Sequence, residues 1–323
     1  MRESQIELRV EPATSPLQTV HAFHLAVGPP TAVDRYRDWN GNAVHHLGIR
    51  DYHDRIEVEA RSVVDVSPAQ PTLDALDAPP APAPGALLDF TLPHGPAAGG
   101  ARLDALAAEV DAPAGASVAA QVAAVGALVQ ARLQYRPGVT DWRSTAEEAL
   151  SAGSGVCQDF AHVALALLRR RGIPVRYVSG YLHVGETAEP AQSHAWIEVF
   201  AAGRWVGFDP THSHTLDARY VRIAVGRHYD DVPPNRGVYR GTAEEQLEAS
   251  VETRETEPRD VAALQRGAAD LEVPVYSELP PLGHARRALV EQQPPPPAEQ
   301  QQQQQQQRGG SPGTCPGAGR LVI

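Results

Sequence analysis

The chain contains no lysine: all 28 of its basic residues are arginine. That excludes lysine nucleophiles and Schiff bases, and it leaves the protein no lysine side chain through which it could itself be cross-linked. Cysteine is nearly as scarce, with two in 323 residues, too few for a disulfide framework and in keeping with a reducing, cytoplasmic setting. There is no Cys-x-x-Cys pair, no His-Glu-x-x-His run and no acidic calcium loop. Despite 13 histidines and the His212-x-His214 pair, no metal and no cofactor is therefore expected. Those two histidines read as polar residues on the rim of a cleft. No apolar run reaches membrane-spanning length, and Met1-Arg2-Glu3-Ser4 opens no signal-peptide core, so no membrane partner is expected. A net charge of −11 without a basic stripe argues against nucleic acid as well.

What the chain does have is a cysteine in a reactive-looking place. Residues 156–171 carry Phe160, Val163, Ala164, Leu167 and Leu168 at helical spacing, and Cys157 lies on the same line. Ser154 is the expected N-cap, and Arg169, Arg170 and Arg171 followed by Gly172 and Pro174 close the far end. Unpaired amides and the helix dipole at such a start favour the thiolate, which is the attacking species. Alone, a cysteine on an apolar helix face is more often a small core residue than a nucleophile.

Downstream partners change that. Residues 193–200 and 204–210 read as two strands joined by a short turn at Ala201-Ala202-Gly203. Paired as an antiparallel hairpin, they set His194 opposite Asp209, with Trp196, Glu198, Trp205 and Gly207 on the same face. Ile197, Val199, Val206 and Phe208 then form the apolar face. A carboxylate beside an imidazole fixes its tautomer and stabilises the imidazolium formed when it takes a thiol proton.

Several stretches in this order resemble the transglutaminase-like superfamily of papain-type folds, in its bacterial branch. They are Tyr135-Arg136-Pro137-Gly138-Val139-Thr140, Ser144-Thr145-Ala146-Glu147-Glu148, Gly155-Val156-Cys157-Gln158-Asp159-Phe160-Ala161-His162, Gly172-Ile173-Pro174-Val175-Arg176-Tyr177, His194-Ala195-Trp196 and Phe208-Asp209-Pro210-Thr211. The resemblance implies an α+β, papain/transglutaminase-like catalytic domain with Cys157 as nucleophile, His194 as base and Asp209 as orienter. It also implies acyl transfer from an amide through a thioester, with a peptide or protein amide as substrate. Hydrolysis of peptidase or amidase type is the first expectation and transglutamination the second. A peptide-binding protein without turnover is the alternative of another class.

Four neighbours are candidates for the oxyanion site or the cleft wall: Gln158, whose backbone N–H follows the nucleophile, and Tyr135, Trp142 and Trp196. Asp159 is expected to be structural in the first helical turn, and Ser144-x-x-Glu147 to be a capping box.

Residues 1–67 read as an N-terminal antiparallel β domain, with strands over 6–10, 20–27, 43–49 and 55–66. Tyr36-Arg37-Asp38-Trp39 and Val58-Glu59-Ala60-Arg61 resemble the β domain of the same bacterial branch. That branch usually begins one strand earlier, so an exposed sheet edge is expected here. Residues 68–100 form a Pro/Ala/Gly-rich connection in which Leu73 to Leu76 and Leu87 to Leu92 could pack. The catalytic domain is expected over 101–254, with helices at 103–108 and 118–133 and later strands at 220–226 and 247–253. Residues 255–323, with the run Gln300 to Gln307 and Cys315, read as a disordered tail.

Overall fold

The computed structural model describes residues 1–81, 83, 85–113, 115–185, 192–242, 246–257, 262 and 320–322. Its centre is helix α4 (Cys157–Arg170), in which every residue from Gln158 to Arg169 is buried. The sequence suggests one apolar stripe, but the helix is enclosed on all sides. Helices α1 (Ala101–Ala108), α2 (Val118–Arg132) and α3 (Ala146–Ala152) pack around it, and strands β8 (Val175–Leu182) and β9 (Gln192–Ala201) cover another face.

The polar residues of α4 are buried because each finds a partner. The Arg169 guanidinium donates to the carbonyls of Phe90, Leu92, Val175 and Arg227, while His162 Nε2 accepts from the Tyr229 amide at 3.3 Å. Burial pushes Arg169 down to about 9 and His162 down to about 3.

The N-termini of α4 and α3 differ from the expected caps. Ser154 lies in β7 (Ser154–Gly155), which pairs in parallel with β6 (Gln134–Tyr135), so it cannot cap α4. The extended Val156 precedes the helix instead, and the Asp159 carboxylate accepts its amide at 2.7 Å. The capping box of α3 is Thr145 with Glu148, one residue later than expected. Ser144 is drawn into a turn with Asp141, and Glu147 instead accepts the Leu103 amide at the start of α1 at 2.6 Å.

Strands β8 and β9 belong to a five-stranded antiparallel sheet in the order β11-β10-β9-β8-β12, with β10 (Arg204–Asp209), β11 (His214–Thr215) and β12 (Tyr220–Gly226). The β9–β10 turn has two residues, Ala202 and Gly203, at φ 49° and 76°, as a type I′ hairpin requires. Its register pairs Ile197 with Phe208, two residues from the alternative that sets His194 opposite Asp209. A shift of two leaves the faces unchanged. Ile197, Val199, Val206 and Phe208 accordingly face α4 in the main core, while Trp196 lies on the other side with Val178, Leu182, Tyr220 and Val225.

The N-terminal strands β1 (Glu3–Leu8), β2 (Gln18–Gly28), β3 (Val33–Arg37), β4 (Ala43–Ile49) and β5 (Glu57–Val66) enter two further sheets. One runs β13-β1-β4-β3, with β13 (Asn235–Arg240) covering the edge of β1 that was expected to be exposed. The other runs β14-β15-β5-β2, with β14 (Arg254–Thr256) and β15 (Arg320–Val322). Strand β15 is the one described part of the segment beyond residue 262; Gln300 to Gln307 and Cys315 lie outside the described residues. Of the strand expected at 247–253, Val251 alone makes a bridge; the alternating Leu247, Ala249 and Val251 stay partly or fully exposed, with no sheet among the described residues packed against them to bury that face.

The connection at 68–100 does more than span a gap. It forms three short 3₁₀ turns, at Leu73–Leu76, Gly85–Phe90 and Gly95–Ala97, and Leu76, Phe90 and Ala97 are buried. Leu76 has no exposed surface, whereas Leu88 is 51% exposed. Leu76→Ala is expected to lose about 2–5 kcal/mol of stability in urea unfolding, and Leu88→Ala to stay within about 0.5 kcal/mol of the parent.

Candidate active site

Three elements deliver the reactive groups. Helix α4 presents Cys157, half-buried, as its first residue. Strand β9 carries His194 and the end of β10 carries Asp209, both buried. His194 Nε2 lies 2.7 Å from Asp209 Oδ2, and Cys157 is near enough to His194 to help raise its pKa. With Nε2 on the carboxylate, Nδ1 is the ring nitrogen left for the sulfur. The structure thus brings together the three residues singled out in the sequence.

Asp209 has no exposed surface and is held by more groups than His194. Its Oδ2 is also 2.7 Å from His212 Nδ1 and accepts the Tyr220 hydroxyl at 2.8 Å. Its Oδ1 accepts the Thr211 amide at 2.8 Å and that of His212 at 3.4 Å. Burial alone would raise its pKa, yet the charge and hydrogen bond of His194 and the bond from His212 hold it well below the ordinary carboxylate value. For His194, burial works against the imidazolium, but Asp209 and then Cys157 outweigh it and raise the ring from 6.5 to about 10.

The start of α4 is fixed from below. Asp159 Oδ2 takes the Thr140 hydroxyl at 2.6 Å as well as the Val156 amide, and burial lifts its pKa to about 6 against these bonds. A methyl group at Gly155 would overlap this carboxylate, so glycine is required there for close approach. Cys157 and Gln158, as the first two helical residues, have no carbonyl one turn back to accept their N–H groups.

The four neighbouring candidates separate. The Gln158 side chain is spent on the Trp142 carbonyl at 3.0 Å, leaving its backbone N–H as the group on offer. Tyr135 is 45% exposed. Its hydroxyl is held protonated far above its usual range by burial and by the nearby Cys157, Asp209 and Asp159. Trp142 packs on the core beside Gln158, and its buried Nε1 has no hydrogen-bond partner among the described residues. Trp196 does not reach the cleft: it is fully buried beneath His194, ring centroids 6.2 Å apart, in the second apolar cluster.

Tyr220 is the residue that sequence reasoning missed, and at His212, read as a rim residue, it missed the bond to Asp209. For His212 a local signal existed, since an aspartate that accepts the amides two and three residues on forms an Asx-type turn and brings the third side chain back to itself. Tyr220 arrives from β12, which no local pattern connects to Asp209. The ligand atoms of His194, Asp209 and His212 lie within 4.8 Å of one another. Hydrogen bonds among them account for that spacing, because Oδ2 already accepts from both rings and from Tyr220.

Comparisons with known proteins bear on the family and the fold. Residues 104–210 match the family model of the Transglutaminase-like superfamily, and residues 1–65 that of the Bacterial transglutaminase-like N-terminal region. The chain belongs to the transglutaminase-like superfamily. It is 35% identical over 265 residues to the uncharacterized protein ML0607 of Mycobacterium leprae, covering 76% of this chain and 90% of that one. It is 33% identical over 266 residues to the uncharacterized protein Rv2569c of Mycobacterium tuberculosis, covering 75% and 83%. In three dimensions it shares the fold of a presumed cysteine protease from Cytophaga hutchinsonii, with a TM-score of 0.61, 22% identity and coverage of 79% of this chain and 88% of that one. Among the described residues no helix is long and apolar enough to cross a membrane.

The coupling of His194 to Asp209 has a measurable signature. Because the folded pKa lies above the free value, its stabilisation is complete below pH 6.5 and is lost as pH rises through about 10. In an NMR titration His194 is expected to stay protonated through neutrality and to release its proton near pH 10. Asp209→Asn is expected to bring that titration down; a parent His194 titrating near 6.5 would contradict the coupling.

Proposed function

We propose that the protein cleaves amide bonds by acyl transfer to Cys157, with water as the final acceptor, so that it acts as a hydrolase on peptide or protein amides. The observation that carries this reading is the hydrogen-bonded pair of His194 and Asp209 set beside Cys157, with the sulfur at a helix N-terminus. Before the first step the thiol proton has passed to Nδ1 of His194, which holds it as an imidazolium through neutrality, and the sulfur, left as thiolate, attacks the amide carbon. The negative charge that develops on the amide oxygen is met by the Cys157 and Gln158 N–H groups. The Tyr135 hydroxyl, near enough to Cys157 to feel its charge, is the further donor this reading offers. His194 then returns its proton to the departing amine, leaving a thioester on Cys157. Water, deprotonated by the same imidazole, releases the acid and restores the thiol.

The partners proposed are amide substrates only, with neither nucleic acid nor membrane, and the setting proposed is cytoplasmic, where Cys157 stays reduced. Cys157 keeps part of its surface exposed, which leaves the sulfur accessible to a substrate amide.

The test is mass spectrometry of a glutamine-containing peptide incubated with the protein, with and without a primary amine. Cys157→Ala is expected to lower turnover by about 10⁴-fold or more. Asp209→Asn should lower it by roughly 10²–10⁴-fold without unfolding the chain. Activity retained by Cys157→Ala would refute the thioester. Amine adducts forming faster than free acid would make the protein a transglutaminase instead. Equal ligand affinity with no turnover in parent and variant would make it a binding protein.

A further inference from the structure

We propose that His212 is a positioning residue for Asp209: its ring holds the carboxylate in the rotamer that meets His194 and closes it off from water. The inference rests on the reading of Cys157, His194 and Asp209 given above.

Three observations carry it. First, His212 Nδ1 and His194 Nε2 sit on the same oxygen, each at 2.7 Å. Oδ1 is held by the Thr211 amide at 2.8 Å, so the carboxylate cannot turn about its own axis without breaking contacts at both ends. Second, His212 is the one partly open member of the group. Its side chain is 36% exposed while Asp209 has no exposed surface, and His194 and Tyr220 close the remaining approaches to Oδ2 from β9 and β12. Removing the ring therefore uncovers the carboxylate on the solvent side. Third, the ring has its own support. It stacks on His214 with centroids 5.7 Å apart and planes at 25°. The segment carrying it is tied to α2 by Gln130 Nε2 donating to the Thr211 carbonyl at 2.6 Å.

Water reaching Oδ2 would screen Asp209 from His194 and lower the proton affinity of the imidazole, which weakens it as the acceptor of the Cys157 proton. His212 thus acts through Asp209, without touching the substrate amide.

The experiment compares His212→Ala with His212→Asn, in which Asn Nδ2–H can stand where Nδ1–H stood. Three quantities are read: the rate of iodoacetamide labelling at Cys157 relative to free cysteine near neutral pH, the steady-state constants, and the His194 Hε2 proton resonance. His212→Ala is expected to slow labelling and kcat roughly tenfold, as the loss of one hydrogen bond to a charged group should. KM should move by no more than about twofold. The Hε2 signal, sharp in the parent, should broaden through exchange with water. His212→Asn should recover most of the rate and the sharp signal. Labelling and Hε2 unchanged in His212→Ala would overturn the assignment. The two failures separate. If the parent thiol labels no faster than free cysteine, the thioester reading falls, while the Hε2 comparison still decides the role of His212.

Discussion

Taking an ionised carboxylate out of water costs several kcal/mol unless hydrogen bonds replace the lost solvent, and the structure meets that demand at Asp209 with five donors. They come from β9, from β12 and from the turn that follows β10. Each of these elements must be in place for the charge to be tolerated, so the carboxylate acts as a geometric check on the sheet. It also sets the electrostatics of the site, because the charge it retains is what raises His194. Tyr220 adds a donor that has no charge of its own, and so stabilises Asp209 without competing with His194 as a cation.

The other half of the site is a matter of helix placement. Helix α4 is anchored at one end by Asp159 and Thr140 and at the other by Arg169, whose guanidinium reaches four carbonyls in three different segments. A helix pinned at both ends and buried along its length cannot slide, so the sulfur at its first residue keeps its distance from a histidine carried on a separate sheet. The connecting segment takes part in this, because Phe90 and Leu92 supply two of the Arg169 acceptors.

The principal groups of the site were legible because alternation and helical spacing survive errors of register. The hairpin pairs two residues away from the simplest alignment, yet period-two geometry returns His194 and Asp209 to one face. Capping was less legible. Ser154 and Ser144 are good cap residues, but a parallel bridge claims the first and an aspartate turn the second. What lay beyond reach were contacts between distant segments. Tyr220 on Asp209, Thr140 on Asp159 and the cover of β1 by β13 are set by topology, and no local pattern encodes them. Trp196 shows the converse: its face was read correctly, but a second apolar cluster covers that face, so the ring supports His194 from beneath instead of lining the cleft.

Strand β1 at residues 3–8 lies between β4 at 43–49 and β13 at 235–240. Pairing of the first kind closes a short loop, and pairing of the second must wait for nearly the whole of the described chain. During synthesis the ribosome therefore releases β1 with one edge satisfied and the other open until β13 emerges. The hairpin of β9 and β10, helix α4 and the turn at Asp209 are all made within that interval. The sheet that holds β1 is begun early and completed only with β13, so the segment bearing Cys157, His194 and Asp209 can condense while β1 still awaits its second neighbour.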